Sequence, residues 1–213
     1  MAGSGETGGS SGGADGALIE AFRSAATAVI SDNLSRLPGC VGLRPFHGHG
    51  RTMVGTALTV RTAAGDNRMI HKALDLVRPG HVIVVDGGGD ISRALVGEIM
   101  ANIALSRGAA GFVLDGAIRD ASALAVLDLP IFARAAIHRG PYKNGPGDIN
   151  VPVSVGGMVV SPEDIVVGDA DGVVAFPQAI APALLEAVRA QEAREADIMR
   201  SIADGTYAGA YAR

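Results

Sequence analysis

At 213 residues, with 48% hydrophobic and 19% charged residues, the chain is long enough for one domain with a substantial core and short for two. A formal charge of −4 and the lack of any Lys/Arg cluster exclude a nucleic-acid surface, which needs a basic stripe to neutralise phosphates. The single cysteine, Cys40, excludes an intrachain disulfide, a thiolate zinc site and a CxxC redox motif; with no apolar run near bilayer length, the expected setting is the cytoplasm, away from membranes.

Residues 1–16, MAGSGETGGSSGGADG, are Gly/Ser-rich without an apolar h-region, so a disordered tail is expected there and a folded domain over 17–213. Leu18, Phe22, Ala25 and Val29 recur at helical spacing, and Ser31-Asp32 offers an N-cap for a short second helix ending before Pro38-Gly39. His47 and His49 follow in a glycine-flanked loop. Without nearby Cys or carboxylates such an HxH is expected to be solvated rather than a ligand pair. Met53 to Thr62 alternates and is rich in Val and Thr, which predicts a strand. Asp66 or Asn67 can cap a helix over Arg68 to Val77, stopped by Pro79-Gly80.

The stretch from Val82 to Asp120 organises the chain. Val82 to Val85 is a β-branched run suited to a strand covered on both faces, and the Asp86-Gly87-Gly88-Gly89-Asp90 loop follows it. A helical pattern over Ala94 to Ser106 puts Leu95, Ile99, Ile103 and Ser106 on one face, and Gly108 stops it. A second strand, Gly111 to Asp115, leads into the turn dipeptide Asp115-Gly116, so Arg119 and Asp120 are expected just past a strand's carboxyl end, where open α/β sheets collect ligands.

Beyond it, Ala121 to Leu127 predicts a short helix and Pro130 to Ala135 a strand. Tyr142 to Val160, rich in Gly and Pro, suits loops and short antiparallel strands. Ile165 to Val167 and Gly172 to Phe176 read as a hairpin, and Gln178 to Ala203 as a long helix whose second half reaches towards a neighbour.

Arg119 can grip a carboxylate bidentately and Asp120 can hold a metal. Glu98, at the start of the central helix, is expected at the same sheet edge, where the N–H groups of Ile99 and Met100 favour an anion. Each has a plainer explanation: a surface Arg-Asp pair, and first-turn helix preference for Glu98. Lys72 and Lys143 are the only lysines and neither is evidently desolvated, which disfavours imine chemistry. His71, on the polar face of its helix, reads as structural. The DGGG loop lacks GxGxxG spacing, so a dinucleotide or S-adenosylmethionine site there is weakly supported.

The chain resembles the RraA-like proteins, which include divalent-metal-dependent 4-hydroxy-4-methyl-2-oxoglutarate aldolases and the regulator of ribonuclease E activity. The resemblance runs from about residue 18 to the end through Ser31-Asp32-Asn33-Leu34, Gly55 to Val60, Gly65-Asp66-Asn67, His71, Pro79-Gly80, Gly97-Glu98, Asp115 to Asp120, Asn150 to Val153, Gly156-Gly157 and Asp169 to Val174. It implies a swivelling β/β/α-type α/β domain in homotrimers or hexamers, with sites between subunits.

It further implies that Asp120 holds Mg²⁺ or Mn²⁺, and that Arg119 binds the pyruvyl carboxylate of a small keto acid with the Gly97, Ile99 and Met100 backbone. Aldolase-type members carry an acidic residue where this chain has Glu98, longer by one methylene than the usual aspartate; regulator-type members carry glycine. A glutamate of an adjacent subunit's last helix completes the site, here Glu195 or, failing that, Glu192. The implied chemistry is cleavage to pyruvate, with oxaloacetate decarboxylation through the same enolate. The alternatives are a non-catalytic regulator of an RNA-processing enzyme and a methyltransferase using the DGGG loop.

Overall fold

The computed structural model describes residues 12–36 and 38–209; residues 1–11 of the tail expected over 1–16 lie outside them. The chain enters through helices α1 (Gly12–Glu20) and α2 (Thr27–Asn33), joined by a 3₁₀ turn at Ala21–Ser24. Strands β1 (Arg44–Pro45) and β2 (Met53–Thr62) follow, then α3 (Arg68–Leu74), β3 (His81–Asp86), β4 (Ala94–Val96), α4 (Glu98–Ser106), β5 (Gly111–Ile118), α5 (Ala121–Val126) and β6 (Ile131–Ala136). The last third holds β7 (Gly147–Ile149), β8 (Val153–Val155), β9 (Met158–Val160), β10 (Ile165–Gly168), β11 (Val173–Phe176) and the long α6 (Ala181–Ala203).

The main sheet runs β1-β6-β5-β3-β2-β10-β11, with β4 added beside β5 and β7 beside β2. β2, β3, β5 and β6 pair in parallel, while β1, β10 and β11 join antiparallel. The β-branched run in β3 explains its central place. Ile83 and Val85 face a core built with α3 and α4, and Val82 and Val84 face a second core capped by the β8-β9 hairpin. Both faces are dry, as buried parallel strands require. A third core joins α1, α2 and the first half of α6 to β10 and β11. This is a single mixed α/β domain with a long C-terminal helix, as expected. Among the described residues no helix is long and apolar enough to cross a membrane.

Several local expectations are corrected. α1 begins at Gly12, inside the stretch expected to be tail, and Ser31-Asp32 lies within α2 instead of capping a second helix. α3 stops at Leu74, short of Val77. Ala94 to Val96 forms β4 rather than a helical turn, because these residues pair with β5; the helix begins at Glu98 and buries Met100, Ala101 and Ala104, leaving Ile99 73% exposed. Asp115-Gly116 is not a turn. It lies inside β5, where Asp115 pairs with Arg134 and accepts the Gly156 N–H. His47 is half-buried rather than solvated: its Nδ1 faces the N–H and C=O of Ile131, and its ring packs edge-on to Phe132.

Candidate active site

The lengthened β5 carries the chain past β4 and delivers Arg119 and Asp120 beside the start of α4. The Arg119 N–H is donated to the Val96 carbonyl at 3.0 Å, which fixes the turn against β4. Asp120 adopts a left-handed conformation (φ 57°, ψ 35°), uncommon for a residue with a Cβ, and this swings its carboxylate away from α5. The carboxylate caps nothing on α5. Instead Oδ2 accepts the backbone N–H of Glu98 at 3.1 Å and lies 3.6 Å from Arg119 Nε.

Gly97 makes this convergence possible. A Cβ there would fall 2.6 Å from Asp120 Oδ2 and 3.0 Å from both Cγ and Nε of Arg119, so the glycine is a cradle for the pair. The first N–H groups of α4 have no intrahelical acceptor and carry the positive end of its dipole. Arg119 therefore stands on the wall of a cavity of about 280 Å³ lined also by Asn67, His71, Leu95, Gly97, Ile99, Met100 and Lys143. On its other side a shallower hollow is lined by Arg119, Asp120, Ile137 and His138.

The structure thus brings together Arg119, Asp120, Gly97, Ile99 and Met100. Glu98 joins them through its backbone; its side chain is exposed and lines neither hollow. Glu195 is not brought to the cavity within one chain. It sits on the outer half of α6, where Gln191 donates to Oε1 at 2.8 Å, and Gln191 in turn contacts Asp32 and Asn33 of α2. Glu192, the fallback, lies on the same outer half of α6 and lines neither hollow.

Three cavity residues carried little weight in the sequence. Asn67, read as a possible cap and as part of the Gly65-Asp66-Asn67 motif, makes no cap bond; its Nδ2 donates to the Leu95 carbonyl and lies 3.2 Å from Met100 Sδ. Its Oδ1 is buried with no donor among the described residues. His71, read as structural, lines the cavity, and burial, reinforced by the Lys143 charge, lowers its pKa. Lys143 is exposed and lines the same cavity, which removes the desolvation an imine-forming lysine needs.

The loop bearing Lys143 is held by Asp66. Its Oδ2 accepts the N–H groups of Asn144 (2.8 Å) and Gly145 (2.7 Å), while Oδ1 accepts that of Arg68 at the start of α3 (2.8 Å). Burial alone raises a carboxyl pKa, but these backbone donors outweigh it and hold Asp66 below its ordinary value. The adjacency of Gly65-Asp66-Asn67 to a predicted helix was the only signal for this clamp.

The donor set suits one kind of metal. Among the described residues no three His, Cys, Asp or Glu side chains cluster, so a zinc site, with its three or four protein ligands, does not fit. A hard cation such as Mg²⁺ or Mn²⁺ is held by one or two carboxylates, keeping waters and substrate oxygens as its other ligands. Asp120, whose Oδ1 accepts no hydrogen bond among the described residues, fits that requirement.

The first glycine of the DGGG loop serves packing. A Cβ on Gly87 would lie 2.6 Å from Leu95 Cδ1 and 2.9 Å from the Asp115 carbonyl oxygen, so its glycine permits close packing of the protein on itself. The Asp86 carboxylate is occupied by the N–H groups of Gly88 and Ser154.

Comparison with known proteins shows the family. The family model described as "RraA-like: Aldolase/RraA" matches residues 27–175. The chain belongs to the RraA-like family. A Halalkalibacterium halodurans relative named "Putative 4-hydroxy-4-methyl-2-oxoglutarate aldolase" is 40% identical over 90% of this chain and 91% of its own. Among solved RraA-like folds, an uncharacterized Pseudomonas syringae protein superposes with a TM-score of 0.81 at 29% identity, covering 89% of this chain and 90% of that one. The RNA-processing inhibitor RraA of Thermus thermophilis gives 0.65 at 33% identity, covering 72% and 93%. A Geobacillus kaustophilus protein described as an S-adenosylmethionine: 2-dimethylmenaquinone methyltransferase gives 0.66 at 32% identity, covering 71% and 94%.

Proposed function

We propose that this RraA-like chain is a divalent-metal-dependent class II aldolase that cleaves 4-hydroxy-4-methyl-2-oxoglutarate-type acids to pyruvate, and that it also decarboxylates oxaloacetate. The observation that carries this reading is the Arg119-Asp120 pair, held against Gly97 and the start of α4, with Arg119 on the wall of a cavity sized for a small keto acid and Asp120 in the hollow beside it. The aldolase name of the H. halodurans relative supports it.

In this reading Arg119 grips the C1 carboxylate, and the Ile99 and Met100 N–H groups add donors at the same end. A divalent cation held by Asp120 supplies, when bound, Lewis-acid polarisation of the 2-keto group. As the C4-hydroxyl proton leaves, the C3–C4 bond breaks. Its electron pair moves into the C2 carbonyl, giving the enolate of pyruvate, and C4 becomes the carbonyl of the second product; protonation at C3 then releases pyruvate. Arg119 offsets the charge that develops on the enolate. Glu98, with Glu195 from a second copy in a homotrimer or hexamer, supplies the carboxylates assigned to that proton. Oxaloacetate loses CO₂ through the same enolate, so one residue set serves both reactions.

The deciding experiment assays pyruvate release from both substrates with Mg²⁺ and with EDTA. Metal-dependent release that is lost in Arg119→Ala and Asp120→Ala is the expected result; unchanged rates in either variant defeat the assignment. The resemblance of fold and sequence to the T. thermophilis inhibitor supports a second reading, a regulator that binds an RNA-processing enzyme. Capture of such an enzyme together with absent lyase activity would select it.

A further inference from the structure

A second cavity lies at the amino ends of the parallel strands, at the opposite end of β3 from the Arg119 site. It encloses about 320 Å³, within the range of small-molecule clefts, roughly 300–1,000 Å³. His81, the first residue of β3, lines it and is only 7% exposed. The Arg78 backbone N–H donates to His81 Nδ1 at 3.2 Å, so the neutral ring carries its proton on Nε2. Burial, reinforced by the Arg78 charge, outweighs the pull of Glu163 and lowers the pKa of this ring, which favours that neutral form. Nε2 meets no acceptor among the described residues, yet it is not closed to solvent; its N–H is open to the cavity. A donor on so buried a side chain calls for a partner.

Charges of both signs stand around this donor. Arg78 and Glu163 line the cavity, both are exposed, and neither enters an ion pair among the described residues. The other carboxylate there, Asp75, is already paired with Arg107 at 2.9 Å. Glu163 is fixed despite its exposure. Its backbone is left-handed (φ 65°), its N–H is donated to the Ala57 carbonyl at 2.9 Å, and its own carbonyl accepts Gln178 Nε2 at 2.7 Å. A residue with a side chain persists in that conformation only where its surroundings hold it, and such residues cluster at ligand sites. Leu58, Leu76 and Val77 give the cavity its apolar wall. An anion alone would meet Glu163 and a cation alone would meet Arg78, whereas a molecule bearing both charges and an aliphatic group complements all three.

We propose that this cavity binds an aliphatic α-amino acid, its carboxylate taken by His81 Nε2–H and Arg78 and its ammonium by Glu163. The site is separate from the keto-acid cavity and does not depend on the aldolase reading.

Calorimetry on the full chain compares L-leucine with 4-methylpentanoate, which lacks the ammonium, and 3-methylbutylamine, which lacks the carboxylate. L-Leucine should bind at millimolar concentration or below, and each single-charge analogue about 10-fold or more weaker, the loss of one charge-assisted contact. Glu163→Gln and Arg78→Gln change exposed side chains and should leave the fold intact. Glu163→Gln should weaken L-leucine about 10-fold and abolish its advantage over 4-methylpentanoate; Arg78→Gln should abolish its advantage over the amine. Arg119→Ala, which disables the other cavity, should leave L-leucine binding within about twofold. No saturable heat with L-leucine overturns the proposal, as does binding that both cavity variants leave unchanged or that Arg119→Ala removes.

Discussion

The carboxylate of Asp120 accepts a hydrogen bond from the backbone N–H of Glu98 at 3.1 Å, which ties the turn after β5 to the first residue of α4. Because the bond comes from the backbone, the tie survives changes to the Glu98 side chain. It does not survive a change that pushes the two elements apart.

Gly97→Ala is that change. The backbone there is extended (φ −136°, ψ −172°) and accepts any residue, so the penalty is purely steric: a methyl 2.6 Å from Asp120 Oδ2. Displacing reacting groups by about 1 Å costs on the order of 100-fold in rate, whereas local overpacking costs about 1–3 kcal/mol of stability. Pyruvate release should fall about 100-fold or more while thermal unfolding remains cooperative and only modestly lowered. Full activity in the variant would show that the cradle is not needed.

Arg119 and Asp120 should fail in different ways. Arg119→Lys keeps the charge but loses the planar fork, so both substrates should lose about 100- to 1,000-fold, close to Arg119→Ala. Asp120→Asn should instead shift the Mg²⁺ or Mn²⁺ concentration needed for activity upward, and excess metal should restore part of the rate. Titrating metal against initial rate separates the two.

The Asp66 clamp gives an acid dependence with a defined sign. Its folded-state pKa lies below the ordinary 3.8, so the unfolded chain binds its proton first as pH falls. The stabilisation is fully present above pH 3.8 and is lost as pH drops through the lower folded-state value. Asp66→Ala leaves the N–H groups of Arg68, Asn144 and Gly145 without their acceptor, at a cost of about 3 kcal/mol near pH 7. Denaturant unfolding between pH 7 and pH 2 should show the difference from wild type shrinking towards the acid end. A difference independent of pH would mean the carboxylate is not the source.

How the sequence anticipates this fold depends on whether the signal is local. Met53 to Thr62 is β2 in full because its Val and Thr residues favour an extended strand along the whole segment, and the strand is buried on both faces. Asp115-Gly116 misleads for the opposite reason. Its turn chemistry is real, but here Gly116 leaves room for Leu95 Cδ1, which a Cβ would meet at 2.6 Å, and that space lets β4 lie along β5. Tertiary pairing likewise overrides the helical spacing of Ala94 to Val96. Arg119 and Asp120 are legible because they are adjacent in sequence. Asn67, His71 and Lys143 reach the cavity only through the packing of α3 and the pinned 142–145 loop, which no local pattern announces.

The outer half of α6 decides whether one chain suffices. Ile198, Met199 and Ile202 are exposed there, on the segment that carries Glu195, and no element of the same chain covers them among the described residues. A second copy covering this stripe would explain why apolar side chains persist on a charged helix. If that copy supplies Glu195 to the Arg119 site, Arg119→Ala and Glu195→Ala proteins should each be inactive alone. Unfolding and refolding them together should restore activity, because about a quarter of randomly assembled sites then take Arg119 from a Glu195→Ala chain and Glu195 from an Arg119→Ala chain. Ile202→Asp should lower the molar mass seen by light scattering and abolish the complementation. If mixed variants stay inactive while wild-type chains treated identically recover, Glu195 does not act across subunits.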